Sequence, residues 1–157
     1  MTLISRKVDY ALLILSHLHH EPVGASAREI ADCYSLSRAF VANILKELCQ
    51  KGFVTSHRGV RGGYMLQRPA EAMTLAGLMD ALDDQFSLAE CNKIEPEDAC
   101  SLTSICPVRG PLTEVHRRVR EVLRNVNLAE LFGLRGVRPL APIQVGLSRC
   151  STDVPVY

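Results

Sequence analysis

The chain has 157 residues, of which 47% are apolar and 22% charged, so it is expected to bury one core without disulfide or metal staples. It contains no apolar run near the roughly 18 residues that span a bilayer and no signal-like N-terminus, so we expect a cytoplasmic protein with reduced thiols and no membrane partner. The net charge is +1, but residues 1–68 hold nine Lys and Arg against five Asp and Glu, whereas residues 69–157 hold nine against twelve. The first part is therefore the candidate for a polyanionic partner.

Three helices are predicted in the first part of the chain. Apolar residues recur at three- and four-residue steps across residues 5–20, which indicates a first helix. Ser26 and Glu29 have the spacing of a capping box, so a second, short helix is expected to follow. Ser37 can cap a third helix that runs to about Gln50. A short helix, a turn and a longer helix are typical of a helix-turn-helix, whose second helix enters the major groove.

The outward face of the third helix and a following hairpin suit DNA. That face carries small, amide or basic side chains and no carboxylate, and Asn43 can pair bidentately with a base edge. Strand-like residues 53–57 and 64–66 flank a turn rich in Gly and Arg, which predicts a β-hairpin wing that approaches the DNA backbone. One helix pair alone would also fit a plain helical core, but these features in this order favour DNA binding. The residues predicted to contact DNA are Ser37, Arg38, Ala39, Asn43, Lys46, Arg58, Arg61, Gly62 and Gly63.

A group of cysteines follows a predicted connecting helix that Thr74 can cap. Cys91, Cys100 and Cys106 fall within sixteen residues, in a stretch that is rich in carboxylates and has the composition of an exposed loop. Three thiolates are too many for one disulfide and one short of a tetrahedral thiolate site. The arithmetic therefore predicts a metal ion or an iron–sulfur cluster with a fourth ligand from elsewhere.

A long amphipathic helix is predicted after the cysteines. Its apolar residues are spaced by three and four, as in a two-heptad seam, and basic residues occupy the opposite face. Such a helix can pack on its own domain or pair across a two-fold axis. The second arrangement is favoured in a DNA-binding protein, because helix-turn-helix dimers read palindromic half-sites. The predicted dimerisation residues are Leu112, Val115, Val119, Val122 and Val126.

The predicted fold is mainly α with a small β-hairpin. Residues 1–68 are expected to form a winged helix-turn-helix domain, residues 69–111 a connecting helix and the cysteine loop, and residues 112–132 the dimerisation helix and a short C-terminal helix. Residues 133–157 contain several Gly and Pro residues without periodicity and are expected to form a disordered tail. We recognise no Ser/His/Asp arrangement, phosphate-binding loop before a helix or catalytic pair of carboxylates, so an enzyme is not expected.

Five stretches of the sequence are specific in combination. They are residues 8–12 (VDYAL), Ser37 with residues 45–48 (LKEL), Val54 with residues 58–64 (RGVRGGY), residues 100–109 (CSLTSICPVR) and residues 127–131 (NLAEL). With the order of elements, they resemble the Rrf-two family of bacterial transcription regulators over about residues 1–132. This resemblance implies a dimer in which an iron–sulfur cluster changes the affinity of the DNA-binding domains for promoter sites.

The resemblance also implies which residues hold the cluster. Three ligands carry over to Cys91, Cys100 and Cys106, although the first interval is longer than is usual in the family; a loop absorbs extra residues at little entropic cost. In the IscR type a histidine stands where this chain has Arg109, which cannot serve as a ligand. In the NsrR type the fourth ligand is an aspartate from the first helix of the partner subunit, and Asp9 matches it. An oxygen ligand binds iron weakly and leaves it open to nitric oxide, which favours a 4Fe–4S over a 2Fe–2S cluster.

Several alternatives stay open at this point. Asp9 could be a solvated residue or a charge partner of Arg6 or Lys7, and His116 on the long helix could substitute as a ligand. The same fold could regulate through cysteine thiol oxidation or iron availability without a stable cluster. The protein could also be an iron–sulfur carrier or an interaction module that binds no DNA. The main expectation is a dimeric transcriptional repressor that binds palindromic double-stranded DNA and senses nitric oxide or redox state.

Overall fold

The fold is mainly helical with one two-stranded antiparallel sheet, which confirms the predicted class. The computed structural model describes residues 4–58, 62–84, 86–92, 100–102 and 104–133. The predicted DNA contact Arg61 and the predicted tail beyond Gly133 lie outside these ranges. Within them, no helix has both the length and the apolar character needed to cross a membrane. The elements are α1 (Arg6–His20), α2 (Ala27–Cys33), α3 (Arg38–Gln50), β1 (Val54–His57), β2 (Gly63–Leu66), α4 (Leu75–Ala81), α5 (Arg109–Asn125) and α6 (Leu128–Gly133), with short 3-10 turns at Ala70–Ala72 and Glu90–Asn92.

Side-chain caps start the three N-terminal helices where the sequence predicts them. The hydroxyls of Ser5 and Ser37 accept backbone N–H groups in the first turns of α1 and α3, at 3.3 and 3.1 Å. Ser26 and Glu29 exchange both bonds of a capping box at the start of α2. Gly52 ends α3 with φ near +75°, a left-handed conformation that favours glycine. The bounds of the helix-turn-helix are therefore fixed by local chemistry.

One apolar core joins the first three helices to the wing, α4 and α6. Every buried side chain among the described residues is apolar. Burying one large aliphatic side chain stabilises a fold by about 1.5–3 kcal/mol, so the two stripes on α1 and α3 are enough to fix α3 firmly on α1. The buried residues of these stripes are Val8, Ala11, Ile14, Leu15, Leu18, Val41, Ile44, Leu45 and Leu48.

The wing is attached to the loop between α1 and α2 as well as to α3. Strands β1 and β2 pair in register, with Val54 opposite Leu66. Tyr64 in β2 exchanges two backbone hydrogen bonds with Ala25, at 2.8 and 3.0 Å, so Ala25 acts as a one-residue third strand. A Cβ atom on Gly63 would lie 2.8 Å from the Ala25 carbonyl oxygen, and only glycine allows this close approach.

Helix α5 begins at Arg109, three residues before the predicted start at Leu112. Its first turn contains Pro111, which is tolerated there because the first amides of a helix have no intrahelical acceptor. The chain beyond α5 is held to the segment that precedes α4. Leu75 N–H donates to the carbonyl of Val126 at 3.0 Å, and Leu128 N–H donates to that of Met73 at 2.8 Å.

Candidate nucleic-acid interface and sensor site

The structure places the predicted DNA contacts of α3 on one exposed face. Arg38, Ala39, Asn43 and Lys46 are all solvent-exposed, and none of them takes part in the core. Arg38 is partly neutralised by Asp32 of α2, whose carboxylate lies 3.4 Å from its guanidinium. Sequence reasoning missed this carboxylate, because a spacing of six residues across a turn gives no periodic signal. The face remains basic through Lys46 and can present Asn43 to a base edge.

The wing supplies a second exposed basic group, while its glycines also have a structural role. Arg58 is exposed at the end of β1, whereas Gly62 and Gly63 are half-buried. Because Gly63 contacts the Ala25 carbonyl, the packing of the wing already requires a glycine at this position, whether or not DNA approaches it. Of the predicted wing residues that the structure describes, Arg58 is the one with an exposed basic side chain.

A polar clamp, formed by Ser5, Lys7, Glu47, Leu82 and Asp84, fixes the first turn of α1 to α3 and to the end of α4. The Lys7 ammonium lies 2.6 Å from the Glu47 carboxylate of α3 and donates to the Leu82 carbonyl at 3.1 Å. The backbone N–H of Ser5 donates to the Asp84 carboxylate at 2.9 Å. Any displacement of this turn therefore acts directly on the recognition helix and on the end of α4.

Asp9 lies on the clamped turn of α1 and is solvent-exposed. The sequence left open that it pairs with Lys7 or Arg6, but the ammonium of Lys7 is engaged by Glu47 instead. In the part of the chain that the structure describes, no ion pair or side-chain hydrogen bond of Asp9 is found. Its carboxylate is thus available to a ligand or partner outside the chain.

The three predicted cysteine ligands are half-buried around the start of α5. Cys91 lies in the turn Glu90–Asn92, and the Cys106 carbonyl accepts the Arg109 N–H at 3.4 Å. Cys91 and Cys106 are free thiols, and Cys100 is also half-buried. Among the residues described, no three His, Cys, Asp or Glu side chains are grouped closely enough to hold a metal ion. The structure therefore does not assemble the predicted set in one subunit, and residues 93–99, which join Cys91 to Cys100, are outside the described ranges.

The donor chemistry of this set nevertheless fits an iron–sulfur cluster. Thiolates are the ordinary ligands of such clusters, and one carboxylate in place of a fourth thiolate is chemically acceptable at a labile iron. The two remaining described cysteines are separate from the set. Cys33 is exposed in α2, and burial raises the pKa of the Cys49 thiol, which keeps it protonated and a poor nucleophile.

The turn that carries Cys91 is docked on α5 through two side chains. The His116 ring stacks on Phe86, with centroids 5.3 Å apart and planes within 5°. Its Nδ1 atom lies 3.4 Å from the Leu88 N–H, and Asn92 Nδ2 donates to Thr113 Oγ1 at 3.3 Å. These residues were not expected to act together, since nothing in their spacing relates two segments about twenty to thirty positions apart.

The apolar residues of the predicted seam on helix α5 differ in how far they are exposed. Val115 and Val122 are 47% and 53% exposed, while Leu112, Val119 and Val126 are half-buried. Three further exposed apolar residues lie in the chain just before the helix, outside the predicted seam. We call this set the outer row; it consists of Leu102, Ile105, Val108, Val115 and Val122, which are all 47–76% exposed.

A second stripe of α5 faces the protein's own domain, and sequence reasoning missed it. Leu123 is the buried residue of this helix, although it lies outside the predicted seam. The Arg120 guanidinium bonds both carboxylate oxygens of Asp80 in α4, at 2.8 and 3.1 Å. We call this stripe the docking face; its residues are Thr113, His116, Arg120 and Leu123, at helical spacings of three and four.

The histidines at the end of α1 are directed to different neighbours. His17 packs edge-on against Tyr34, with ring centroids 5.6 Å apart. The ring of His20 contacts the carbonyl of Ser16 at 2.8 Å through Nδ1. Each therefore has a local structural partner, and the described residues contain no metal-binding group at this end of the helix.

Sequence comparisons place this chain in a family of transcriptional regulators. The family model Rrf2 (Rrf-two), described as an iron-dependent transcriptional regulator, matches residues 4–133. A curated relative, protein aau3 of Rhizobium meliloti (strain 1021), is 34% identical over 133 residues, which are 84% of this chain and 86% of that protein.

Solved structures with the same fold include the regulator CymR from two species and IscR. CymR (YrzC), the global cysteine regulator of B. subtilis, matches with a TM-score of 0.69 and 26% identity, over 87% of this chain and all of that one. The oxidised form of CymR from Staphylococcus aureus matches with a TM-score of 0.62 and 25% identity, over 88% of this chain and all of that one. IscR from T. potens has a TM-score of 0.62 at 22% identity, covering 88% of this chain and 91% of that one, which shows a likeness of fold alone.

Proposed function

Because this chain belongs to the Rrf2 family of DNA-binding transcriptional regulators, we propose that it acts as a homodimer on a palindromic operator and that an iron–sulfur cluster sets its affinity for that operator. Members of the family are regulators rather than enzymes. We propose that the protein represses its targets in the cytoplasm and responds to nitric oxide or redox state. An exposed face on α3 that carries Asn43 and Lys46, and a carboxylate on the clamped turn of α1 that has no partner among the described residues, support this proposal.

The proposed ligands are Cys91, Cys100 and Cys106 of one subunit and Asp9 of the partner subunit. When bound, a 4Fe–4S cluster would supply an iron atom that reacts with nitric oxide or oxygen, since its carboxylate ligand is weak. This ligand set requires Cys91, Cys100 and Cys106 to come together when the cluster binds, because the described part of one chain holds no group of three metal-binding side chains. It also requires a dimer, because one chain would then lack its fourth ligand.

The single observation that carries the regulatory proposal is the polar clamp next to Asp9. A tie between Asp9 and the partner's cysteine loop restrains the first turn of α1. Lys7 joins that turn to Glu47 in α3 at 2.6 Å. Release of Asp9 therefore changes the restraint on the helix that reads DNA, and a two-fold dimer converts this change into altered half-site geometry.

The outer row is the proposed dimer interface. Exposed apolar rows of this length are normally covered in soluble proteins, and α5 is otherwise charged on its solvent side. Val122→Asp should convert dimers to monomers in sedimentation equilibrium, because it buries a carboxylate in the interface. Asn125→Asp, which adds the same charge at an exposed position outside the outer row, should remain dimeric. A dimeric Val122→Asp protein would assign the interface to another surface.

The cluster is tested on protein purified without oxygen. We expect iron and sulfide in near-equal amounts, visible charge-transfer absorption, and operator binding that weakens steeply with salt and changes on addition of nitric oxide. Asp9→Ala should make the cluster labile and leave the secondary structure intact. Glu71→Ala, which removes another exposed carboxylate, is the matched control. Protein that binds no iron after reconstitution would contradict the cluster.

A thiol switch is the second candidate, and the likeness to CymR favours it. One matching structure is an oxidised form of that regulator, at 25% identity. In this version, an oxidant joins two of the cysteines with loss of two electrons and two protons, and operator affinity changes without iron. Mass spectrometry of oxidised, iron-free protein would then find a Cys100–Cys106 disulfide, and reduction by dithiothreitol would restore the original affinity. Loss of the redox response in cluster-free protein would eliminate this candidate.

A further inference from the structure

The segment of residues 86–92 lies along the first half of α5, and its contacts are concentrated on the docking face. Phe86 is only 8% exposed, and its ring stacks in parallel on His116. The Leu88 N–H, two residues later, points to His116 Nδ1 at 3.4 Å. This hydrogen bond is long and contributes less than the stack, but it fixes which edge of the ring faces the segment.

The second contact lies one turn earlier on the same face. Asn92 Nδ2 donates to Thr113 Oγ1 at 3.3 Å, and Asn92 is the neighbour of Cys91. The two contacts therefore hold the segment on both sides of Cys91. Because the Cys106 carbonyl is bonded to the first amide of α5, Cys91 and Cys106 both take their position from the start of this one helix.

The ring chemistry of His116 is set by these contacts. The Leu88 N–H can donate only to an unprotonated Nδ1, so this contact requires the neutral ring with its proton on Nε2. Burial and the nearby Arg120 guanidinium lower the pKa of His116, which agrees with a neutral ring. Binding of iron through Nδ1 would displace the Leu88 amide, and binding through Nε2 would move the ring proton to Nδ1 and break the same contact.

We propose that His116 and Thr113 are positioning residues that hold Cys91 in place for the cluster, and that His116 is not itself a ligand. The role in cluster binding rests on the proposed function, whereas the docking of Cys91 on α5 is a property of the iron-free chain. The docking face thus limits the positions that Cys91 can take. This matters because the interval between Cys91 and Cys100 holds the extra residues and makes the cysteine loop long.

Alkylation of iron-free, reduced protein by iodoacetamide, followed by mass spectrometry of each cysteine, tests the docking directly. In His116→Ala we expect Cys91 to react about three- to tenfold faster, because the turn opens more often, while Cys106 changes less than about twofold. Thr113→Val should act in the same direction with a smaller factor. Arg124→Ala, an exposed change on the same helix outside the docking face, should leave all rates unchanged.

Unaltered reaction of Cys91 in a folded His116→Ala protein would overturn the proposal, as would an equal acceleration of all thiols, which would indicate general loosening. If His116→Ala does not fold, Thr113→Val and His116→Phe decide the question, since the latter keeps a stacking ring and removes the acceptor. His116→Phe should give an intermediate Cys91 rate, and an unchanged rate in both variants would overturn the docking.

Iron retention separates positioning from ligation. After reconstitution, His116→Ala should bind iron but lose it to a chelator several-fold faster, and His116→Phe should recover part of the retention because a phenyl ring can stack but cannot bind iron. Complete loss of iron in His116→Phe with normal Cys91 alkylation would make His116 a ligand and overturn the proposal. Wild-type protein without iron would contradict the proposed function, whereas the alkylation experiment would still decide the docking.

Discussion

The DNA-binding part and the cysteine part of this chain differ in how far one subunit satisfies its own groups. In the first part, side-chain caps start every helix, the wing is hydrogen-bonded to a neighbouring loop, and the inner faces of α1 and α3 are buried. In the second part, the outer row is exposed and the docking contacts of the Cys91 turn are 3.3–3.4 Å long. The groups of the first part are largely satisfied within one subunit, whereas the second part has apolar surface that one chain does not cover.

The side chain of Asn92, next to Cys91, also shows this difference between the two parts. Asn92 Oδ1 is buried without a hydrogen-bond partner, and it is the one such side-chain atom found among the described residues. A buried acceptor left unpaired costs about 1–3 kcal/mol. By contrast, no polar side chain is buried in the core that supports α3. The turn that carries Cys91 therefore contains a buried polar atom that the described residues leave unpaired.

The largest expected effect compares one leucine from each part. Leu45→Ala, in the fully buried face of α3, should lower the free energy of unfolding by about 2–5 kcal/mol, because it removes apolar contacts and leaves a cavity. Leu102→Ala, at a residue that is 55% exposed, should change it by less than about 0.5 kcal/mol in monomeric protein. Urea unfolding of both variants in the monomeric Val122→Asp protein, at one protein concentration, measures the two losses. Equal losses of unfolding free energy would show that the cysteine part is as well packed as the DNA-binding part.

Glycine substitutions give the next effect, with opposite signs in the two parts. Gly63→Ala places a Cβ atom 2.8 Å from the Ala25 carbonyl oxygen, so it should destabilise the protein by about 1–3 kcal/mol and loosen the wing. At Gly110, in the first turn of α5, a Cβ atom meets nothing within 4 Å, and Gly110→Ala should stabilise the helix by about 0.5–1 kcal/mol. Thermal unfolding of both variants checks the signs; stabilisation by Gly63→Ala would contradict the attachment of the wing.

The same contrast explains what the sequence could predict. Caps and periodicity are local signals, so the three N-terminal helices, the hairpin and the buried face of α3 follow from residues close together in the chain. The docking face of α5 does not, because His116 and Thr113 are polar residues whose partners are 21–28 positions away. The predicted seam was also incomplete, because the spacing of apolar residues did not indicate that Leu123 is buried while Val122 is exposed. The three cysteines were recognised from their number, but the described residues of one chain do not bring them together.

A smaller effect is expected at the polar clamp, which joins the two parts. The Lys7–Glu47 ion pair is partly shielded, with side chains 41% and 27% exposed, and its coupling in a double-mutant cycle with Lys7→Met and Glu47→Gln should be about 0.5–1 kcal/mol. The same cycle at Arg28 and Asp32, which are 72% and 57% exposed and 3.6 Å apart, should give no measurable coupling. If the two cycles agree, the clamp is an ordinary surface pair and does not transmit restraint to α3.

The smallest effect is the dependence of stability on pH at the docking face. Burial, followed by the Arg120 charge, lowers the pKa of His116 from the ordinary value of 6.5, so the folded protein binds this proton less readily than the unfolded chain. The contribution of the neutral ring is complete above pH 6.5 and is lost as the pH falls through the lowered pKa. Unfolding free energies at pH 5 to 8 should therefore show a slope that disappears in His116→Gln. Thr113→Val has no titrating group and should lower the curve evenly; a slope that persists unchanged in His116→Gln would mean that other groups titrate and that the ring is not held neutral by the turn.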